Sequence, residues 1–285
     1  MFSTFRNTAL AAGGLVAFSF AALPASAAPF SFTTGSPDGL IGTLSQPAGL
    51  GHIQTETADD FTLGAATSLT SATFTGLLPL GTPTTAISDV EIEFYHLFPV
   101  DSTSPPSGNV PTRAGSPADV EIGAATREAA AHTLAFTTTL LNPDYHVANS
   151  LGVGGIPALG APGFPFTGGQ GPTSGEEVLI SVDFTLPVDL PADHYFFRPE
   201  VELPSGGFLW LSAPKPLPAP VDLQSWTRND DLSPDWLRIG TDITHQGPFN
   251  AAFSLSGETA VPEPTTIALL GAGIVSLSLI RRRSK

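Results

Sequence analysis

Short segments in which apolar and polar residues alternate run through the middle of the chain, and the clearest of them spans Ile87–Val100. Val90, Ile92, Phe94, His96 and Phe98 fall on one side of it, and the other side carries Asp89, Glu91, Glu93 and Tyr95. Because successive side chains of a strand point to opposite faces, this pattern predicts a strand with one face in a core and a charged face in solvent. On this interpretation His96 is a hydrogen-bonded core residue.

Other segments of strand length are rich in threonine and apolar residues. They predict strands at Phe30–Thr33, His52–Leu63, Ser68–Leu78, Leu134–Leu141, Glu177–Leu186, His194–Leu203, Phe208–Ser212 and Phe249–Ser256. We expect pairing of His52–Leu63 with Ser68–Leu78 through residues 64–66. We also expect a hairpin of His194–Leu203 with Phe208–Ser212 through residues 204–207. Residues 124–131 are the one segment expected to form a helical turn.

Turn-forming residues separate these segments. The chain contains 29 Gly and 28 Pro, and residues 101–120 and 142–175 read as long loops without periodicity. Many short strands with turn signals between them predict an all-β fold, an antiparallel β-sandwich of jelly-roll type with long Gly/Pro-rich loops. Residues 28–260 are expected to share one core, and a split into two domains inside 142–175 is the alternative.

The first residues of the chain have the features of a secretory signal peptide. Arg6 provides a positive start, Ala9–Leu23 is an apolar stretch, and Ala25 and Ala27 form an A-x-A cleavage pattern for signal peptidase. We expect a signal helix in residues 1–27 and a cut after Ala27 or one residue later. A permanent N-terminal membrane helix is the alternative, which Gly13 and Gly14 disfavour.

The last residues, 261–285, combine three features. Pro262, Glu263 and Pro264 form a stiff extended tripeptide, and residues 266–280 follow without a charge. As a helix this stretch covers roughly 22 Å, so it spans a hydrocarbon core of about 30 Å only marginally. The chain then ends in a basic cluster that acts as a membrane stop and is expected on the cytoplasmic side: Arg281, Arg282, Arg283 and Lys285.

This tripartite tail resembles the PEP-CTERM sorting signal of Gram-negative bacteria, a segment also labelled the ice-binding protein C-terminal domain. The resemblance implies a membrane-embedded exosortase as partner, which cuts near Pro262–Pro264 and releases or re-anchors the exported protein. An ordinary tail anchor, a C-terminal transmembrane helix that is never cut, is the alternative. Either way the body lies outside the cytoplasm, and the chain divides into a signal peptide (1–27), a β-domain (28–260) and a sorting segment (261–285).

Charge and cysteine content restrict the chemistry of the body. The whole chain has a net charge of −15, and its two ends contain five of the 11 basic residues but one of the 26 acidic residues. So acidic a body repels nucleic acid and anionic lipid. The chain has no cysteine, so disulfides, thiolate metal sites and cysteine nucleophiles are excluded.

Two groups of acidic residues are candidates for cation binding. Asn229, Asp230, Asp231 and Asp235 could offer oxygen ligands to Ca²⁺, although such residues also start turns for local reasons. Glu56, Asp59 and Asp60 form a second patch, for which protection of a sheet edge is the alternative explanation. A bound Ca²⁺ is therefore possible, but no cofactor is required by the pattern.

Catalytic patterns are weak. Glu91 and Glu93 share a strand face and could act as a carboxylate pair on a polysaccharide, but a solvated face explains them as well. The histidines, His52, His96, His132, His146, His194 and His245, show no zinc spacing, and no G-x-S-x-G elbow is present.

Aromatic residues suggest a glycan-binding surface. Trp210 reads as core, whereas Trp226 and Trp236 flank charged loops and are expected to be free to stack on sugars. An ice-binding surface would need a flat regular threonine array, which Thr84–Thr85 and Thr137–Thr139 do not form.

The sequence thus predicts an exported, exosortase-processed structural or interaction protein of the extracellular matrix or cell envelope, without catalytic activity. A carbohydrate-binding module and, less favoured, a polysaccharide-active enzyme are the alternatives, with extracellular polysaccharide as the expected partner.

Overall fold

The computed structural model describes residues 27–49, 51–152, 155–215 and 223–260. Residues 27–260 form one compact unit. The predicted signal helix and the predicted C-terminal membrane helix, including the sorting motif, lie outside the described residues. Within the described ranges no helix has the length and hydropathy needed to span a bilayer.

Fifteen strands and two short helical turns build the described part of the chain. The strands are β1 (Ala28–Thr33), β2 (Ile41–Leu44), β3 (Thr55–Thr62), β4 (Thr67–Leu78), β5 (Asp89–His96), β6 (Arg127–Glu128), β7 (Leu134–Val147), β8 (Asn149–Leu151), β9 (Thr173–Leu190), β10 (His194–Glu202), β11 (Leu209–Ala213), β12 (Trp226–Asn229), β13 (Leu237–Arg238), β14 (Asn250–Ala251) and β15 (Phe253–Thr259). The helical turns are a 3-10 turn at Thr84–Ala86 and a π turn at Ile239–Ile243.

The strands form two sheets. The larger has nine strands, with the order β1-β15-β4-β11-β2-β8; β9 pairs with the opposite edge of β4, β7 pairs with β9, and β14 pairs with β11. The smaller has six, in the order β13-β12-β3-β10-β5-β6. Among the described strands, β2 and β8 are the one parallel pair. The prediction of a nearly all-β, mainly antiparallel fold is therefore confirmed.

One hydrophobic core lies between the two sheets. Phe61, Phe94 and Phe197 of the smaller sheet belong to the same buried cluster as Phe74 and Phe253 of the larger. The rings of Phe197 and Phe253 stack with centroids 5.0 Å apart, so the sheets are in direct contact. Burial of these large aromatic side chains supplies much of the driving force for folding. The prediction that Trp210 is a core residue is confirmed, since it is 1% exposed.

Two predicted hairpins are wrong. The segments on either side of residues 64–66 become β3 and β4, which lie in different sheets, and the segments around residues 204–207 become β10 and β11, which also lie in different sheets. A short link between strand-like segments signals a hairpin whenever the strands join one sheet, but the same link can carry the chain across the core. Both links here make such crossings.

Three further expectations about local structure are settled. Residues 124–131 form turns around the short strand β6 instead of a helical turn. Residues 101–120 contain no strand, as expected for a loop. The predicted loop 142–175 is partly strand, because β7 continues to Val147 and β9 begins at Thr173. Since β7 and β9 pair with each other, no domain boundary falls between them.

Hydroxyl side chains form a row across the larger sheet. Strand register aligns five residues on neighbouring strands: Thr137, Ser181, Thr73, Ser254 and Thr33. Neighbouring strands of a sheet lie about 4.8 Å apart, so the row is regular. The sequence could not show it, because the residues come from five separate strands.

Candidate functional site

Several of the residues singled out in the sequence meet on one surface, the face of the smaller sheet that points away from the core. We call it the charged face. It is formed by Glu56 and Asp60 of β3, Glu91, Glu93 and Tyr95 of β5, Arg198 and Glu200 of β10, and Trp226 and Arg228 of β12. Each of these residues alternates along its strand with a residue that points the other way.

The charged face is covered, although the sequence predicts that it is solvated. Two covering segments, residues 97–120 and 230–236, lie over it. Trp236 packs edge-on against Tyr95 with ring centroids 5.6 Å apart, and its indole Nε1 donates to the carbonyl of Ala118 at 3.3 Å. Arg113 joins the two segments through an ion pair with Asp235 at 2.7 Å. Glu93 is buried as a result, and the prediction of a solvated Glu91/Glu93 face is wrong.

Arg198 lies at the centre of the charged face and is 1% exposed. Its guanidinium is 2.9 Å from a carboxylate oxygen of each of Glu56, Glu93 and Glu200, and 3.8 Å from Glu91. One cation thus serves four carboxyl groups. The neighbouring carboxylates hold the pKa of Arg198 well above its ordinary value despite its burial.

Glu56 is the carboxylate that both buried arginines share. It forms ion pairs with Arg198 and Arg228, and it accepts a hydrogen bond from the Tyr95 hydroxyl at 2.8 Å. Burial by itself would raise the pKa of Glu56, but Arg228 and Arg198 outweigh that cost and lower the pKa to about 2. Glu56 is therefore ionised at any physiological pH.

The other carboxyls of the charged face hold protons more tightly. Burial raises the pKa of Glu200 to about 8. The guanidinium of Arg198 acts in the opposite direction, but the carboxylates of Glu56 and Glu91 add to the effect of burial. Burial and the nearby carboxyls of Glu93 and Glu128 likewise raise the pKa of Glu91 to about 7. The pKa of Glu93 is also raised by burial. The charged face therefore exchanges protons near neutral pH.

At one end the charged face opens into a small acidic cavity of about 180 Å³. It is lined by Pro47, Asp89, Glu91, Glu128, Glu200 and Glu202. Burial and the neighbouring Asp89 raise the pKa of Glu128 as well. Within the described ranges, no group of three or more His, Asp or Glu side chains is placed to hold a metal ion, and that includes this cavity.

Trp226 and Trp236 do not form a glycan-binding surface. They are 1% and 0% exposed, and they pack with Ala58, Tyr95 and Phe196 in a buried cluster. The guanidinium of Arg228 lies 4.3 Å from the centre of the Trp236 ring, a cation–π contact inside the protein. Asp235, the charged neighbour of Trp236, is paired with Arg113. The charges beside these tryptophans therefore have partners within the protein and do not require the indoles to be exposed. The expectation that these tryptophans are exposed is wrong.

The structure does not gather the four proposed calcium ligands. Asp235 is fully buried and paired with Arg113, and the side-chain oxygen of Asn229 accepts from the Leu232 amide at 3.1 Å. The side chain of Asp230 accepts a hydrogen bond from the backbone N–H of Gln54 at 3.2 Å, and Asp231 is exposed. These side chains organise the turn between β12 and β13.

Glu56, Asp59 and Asp60 do not protect a sheet edge, because β3 is an interior strand between β12 and β10. Asp59 accepts hydrogen bonds from Ser225 and from the amide of Ala251, and Asp60 pairs with His194 at 2.6 Å. His96 is a fifth exposed and pairs with Asp101 at 3.1 Å, at the end of its strand. The remaining histidines stay scattered among the described residues.

The sequence did not single out Arg198, Glu200 or Arg228, which hold the charged face together. The signal is present in residues 194–202, where Phe196, Arg198 and Glu200 occupy alternate positions opposite Tyr195, Phe197 and Val201. That alternation is the same one that identifies β5.

The two ends of the compact unit meet in one strand pair. β1 pairs antiparallel with β15, so that Ala28 lies opposite Thr259. The amide of Ala260 donates to the carbonyl of Ala66 at 2.7 Å. The predicted signal cleavage after Ala27 therefore comes directly before the first strand of the chain, and the sorting segment that begins at Val261 follows shortly after the last strand.

Residues 260–283 match the PEP-CTERM protein-sorting motif. The sequence resemblance is confirmed, and the chain carries the sorting signal of an exported protein that is targeted to an exosortase. No curated protein and no solved structure matches the chain.

Proposed function

Starting from a chain that is exported and targeted to an exosortase, we propose that the β-domain is a structural or interaction module of the extracellular matrix or cell envelope. Its partners are signal peptidase and an exosortase during export, and an extracellular polysaccharide afterwards. The observation that carries this proposal is the sorting motif, which starts one residue after the last strand ends at Thr259. The whole β-domain is thereby the cargo of the sorting step.

The charged face supports a role without catalysis. A glycosidase needs two carboxyl groups on opposite sides of the scissile bond. Glu91 and Glu93 instead lie on one strand face. The carboxylate of Glu93 accepts a hydrogen bond from the Tyr95 hydroxyl at 2.7 Å and lies 2.9 Å from the guanidinium of Arg198. The raised pKa of Glu91 would suit a general acid, which is why a polysaccharide-active enzyme remains the alternative.

The larger sheet supports contact with an extracellular polymer. Its hydroxyl row lies on five strands, and the side chains of Thr33 and Thr137 are exposed. Hydroxyl groups both donate and accept hydrogen bonds, so this row suits contact with a hydrated polymer that is itself rich in hydroxyls. In the cell, the tail is proposed to anchor the protein in the inner membrane until it is cut.

Replacing Pro262, Glu263 and Pro264 together by alanine tests the proposal in the native host. We expect the variant to stay in the membrane fraction at its uncut mass, because the extended tripeptide that the exosortase reads is gone. The matched control replaces Pro105 and Pro106, two exposed prolines of the loop 101–120, and should be processed as the unmodified protein is. Normal processing of the triple variant would contradict the proposal.

A further inference from the structure

A groove of about 440 Å³ shares no described lining residue with the charged face or its acidic cavity, and none of the ten described residues that line it is Asp, Glu, Lys or Arg. Its polar lining comes from separate parts of the chain: Gln46, His52, Ser150, Gln170 and Thr173. Its volume is within the range of about 300–1,000 Å³ that is usual for small-molecule sites. In so acidic a protein, an uncharged groove of this size is a distinct chemical environment.

Gln46 is the key residue of the groove. It is 2% exposed, and its amide nitrogen donates weakly to the carbonyl of Ile53 at 3.4 Å. Within the described part of the chain, its side-chain oxygen Oε1 has no hydrogen-bond partner, and neither does Nδ1 of His52. A buried polar atom without a hydrogen-bond partner costs free energy. Each such atom in a folded protein therefore needs an explanation, and a bound ligand that supplies the missing hydrogen bond is one.

The space beside these atoms fits one small polar group. A recess of about 30 Å³ shares Gln46, His52 and Gly152 with the groove. A Cβ atom on Gly207 would lie 2.9 Å from Gln46 Oε1 and 2.3 Å from a methyl group of Leu44. Because residue 207 is glycine, this side of the amide is not blocked by a side chain.

The remaining polar groups are already held in place. Gln170 accepts from the amide of Gly152 at 2.7 Å, and the Ser150 hydroxyl donates to the carbonyl of Gly171 at 2.9 Å. Side chains fixed in this way lose little conformational freedom when a ligand binds. The groove is therefore a preformed site for a molecule that hydrogen-bonds in several directions.

We propose that this groove binds a neutral saccharide, with one sugar hydroxyl donating to Gln46 Oε1 and contacting His52. A charged ligand would find no counter-charge in the groove, and an apolar ligand would leave Gln46 Oε1 and His52 Nδ1 unpaired. A sugar hydroxyl both donates and accepts, which matches this mixture of groups. The proposal deepens the proposed function, on which it rests only for the expectation of an extracellular polysaccharide.

The test is a calorimetric titration of the full-length protein with glucose, mannose, galactose and N-acetylglucosamine. The protein is kept in a zwitterionic detergent, because glucoside or maltoside detergents would themselves compete for the groove. We expect at least one sugar to bind with a dissociation constant of about 0.1–10 mM, since the ten described lining residues include no Trp, Tyr or Phe ring on which a sugar can stack. If none of the four binds in this range, the proposal is overturned.

The Gln46→Leu variant distinguishes binding from folding. Leucine keeps the buried volume and removes an amide oxygen that has no partner, so thermal stability should be unchanged or higher. Sugar affinity should fall roughly tenfold or more. His52→Ala provides a second, less buried change with the same expected direction, and Gln54→Leu, the same substitution outside the groove lining, should leave the affinity unchanged. Unchanged affinity in both Gln46→Leu and His52→Ala would overturn the assignment of the site.

These titrations use purified protein and do not depend on the exosortase. Failure of sugar binding leaves the sorting proposal intact, and failure of sorting leaves the groove as it is.

Discussion

Replacing Arg198 by methionine is expected to lower the free energy of unfolding at pH 7 by about 3–5 kcal/mol, because it leaves buried carboxyl groups without the cation that they share. Glu56, Glu93 and Glu200 each have an oxygen 2.9 Å from this guanidinium, and all three are buried. Arg228 would remain to pair with Glu56 alone. Urea denaturation followed by tryptophan fluorescence measures the loss.

Arg238→Met is the matched control. Arg238 forms an ion pair with Asp242 four residues later, and its side chain is 26% exposed, so the loss should be about 1 kcal/mol or less. The penalty of Arg198→Met should also shrink at pH 5, because carboxyls without their cation take up protons more easily. An Arg198 variant no less stable than the Arg238 variant would contradict the central role of Arg198.

The second large effect is a loss of stability as the pH rises above about 5. The folded-state pKa values of Glu91 and Glu200 are raised to about 7 and about 8, so these groups bind protons more tightly in the folded than in the unfolded chain. Their stabilising contribution is complete below about pH 4.5 and is lost as the pH rises through 7 and 8. The two pKa values alone would give about 6 kcal/mol between pH 5 and pH 9. Because both carboxyls lie beside the same guanidinium and Glu91 is partly exposed, we expect a loss of about 3 kcal/mol.

Glu56 imposes the opposite slope at low pH. Its pKa is lowered to about 2 in the folded protein, so its contribution is present above about pH 4.5 and is lost as the pH falls towards 2. Stability should therefore be greatest near pH 5. Thermal melts across this range should show a midpoint at pH 9 that is about 10 °C below the maximum.

Glu200→Gln tests which group is responsible. The amide cannot ionise, so the decline between pH 5 and pH 9 should become shallower, while Asp144→Asn, which removes an exposed carboxylate, should leave it unchanged. A Glu200→Gln variant with the full decline would show that the pH dependence arises elsewhere.

The sequence identified the strands from their own residues. The alternation in residues 87–100 predicted β5, and segments of strand length rich in threonine and apolar residues predicted β4, β9 and β15 within a few residues. Pairing was less predictable, since β3 and β4 satisfy a hairpin pattern whether they join one sheet or two. Which sheet a strand joins depends on contacts with residues far away in the chain.

Alternation shows that a strand face is polar, but it does not show whether that face is covered. Glu91 and Glu93 read as a solvated pair because their cover comes from residues 97–120 and 230–236. Trp236 read as exposed because charges flank it, yet one of those charges, Asp235, is paired with Arg113 across 122 positions. Nothing local in the sequence reports such a pairing.

The sorting tail is the opposite case. Its tripeptide, apolar stretch and basic end are all contained in residues 261–285. The residues of this one segment are therefore sufficient to identify the sorting signal. The groove around Gln46 was missed entirely, because its polar residues come from separate parts of the chain and none is remarkable alone.

The most direct test of the account is intact mass spectrometry of the protein from its native host, with and without a functional exosortase. We predict a mature chain that begins at or near Ala28 and ends near Pro262–Pro264, with this C-terminus found only when the exosortase is present. A mature chain that retains Arg281–Lys285 in both strains would contradict the account and indicate a permanent membrane anchor.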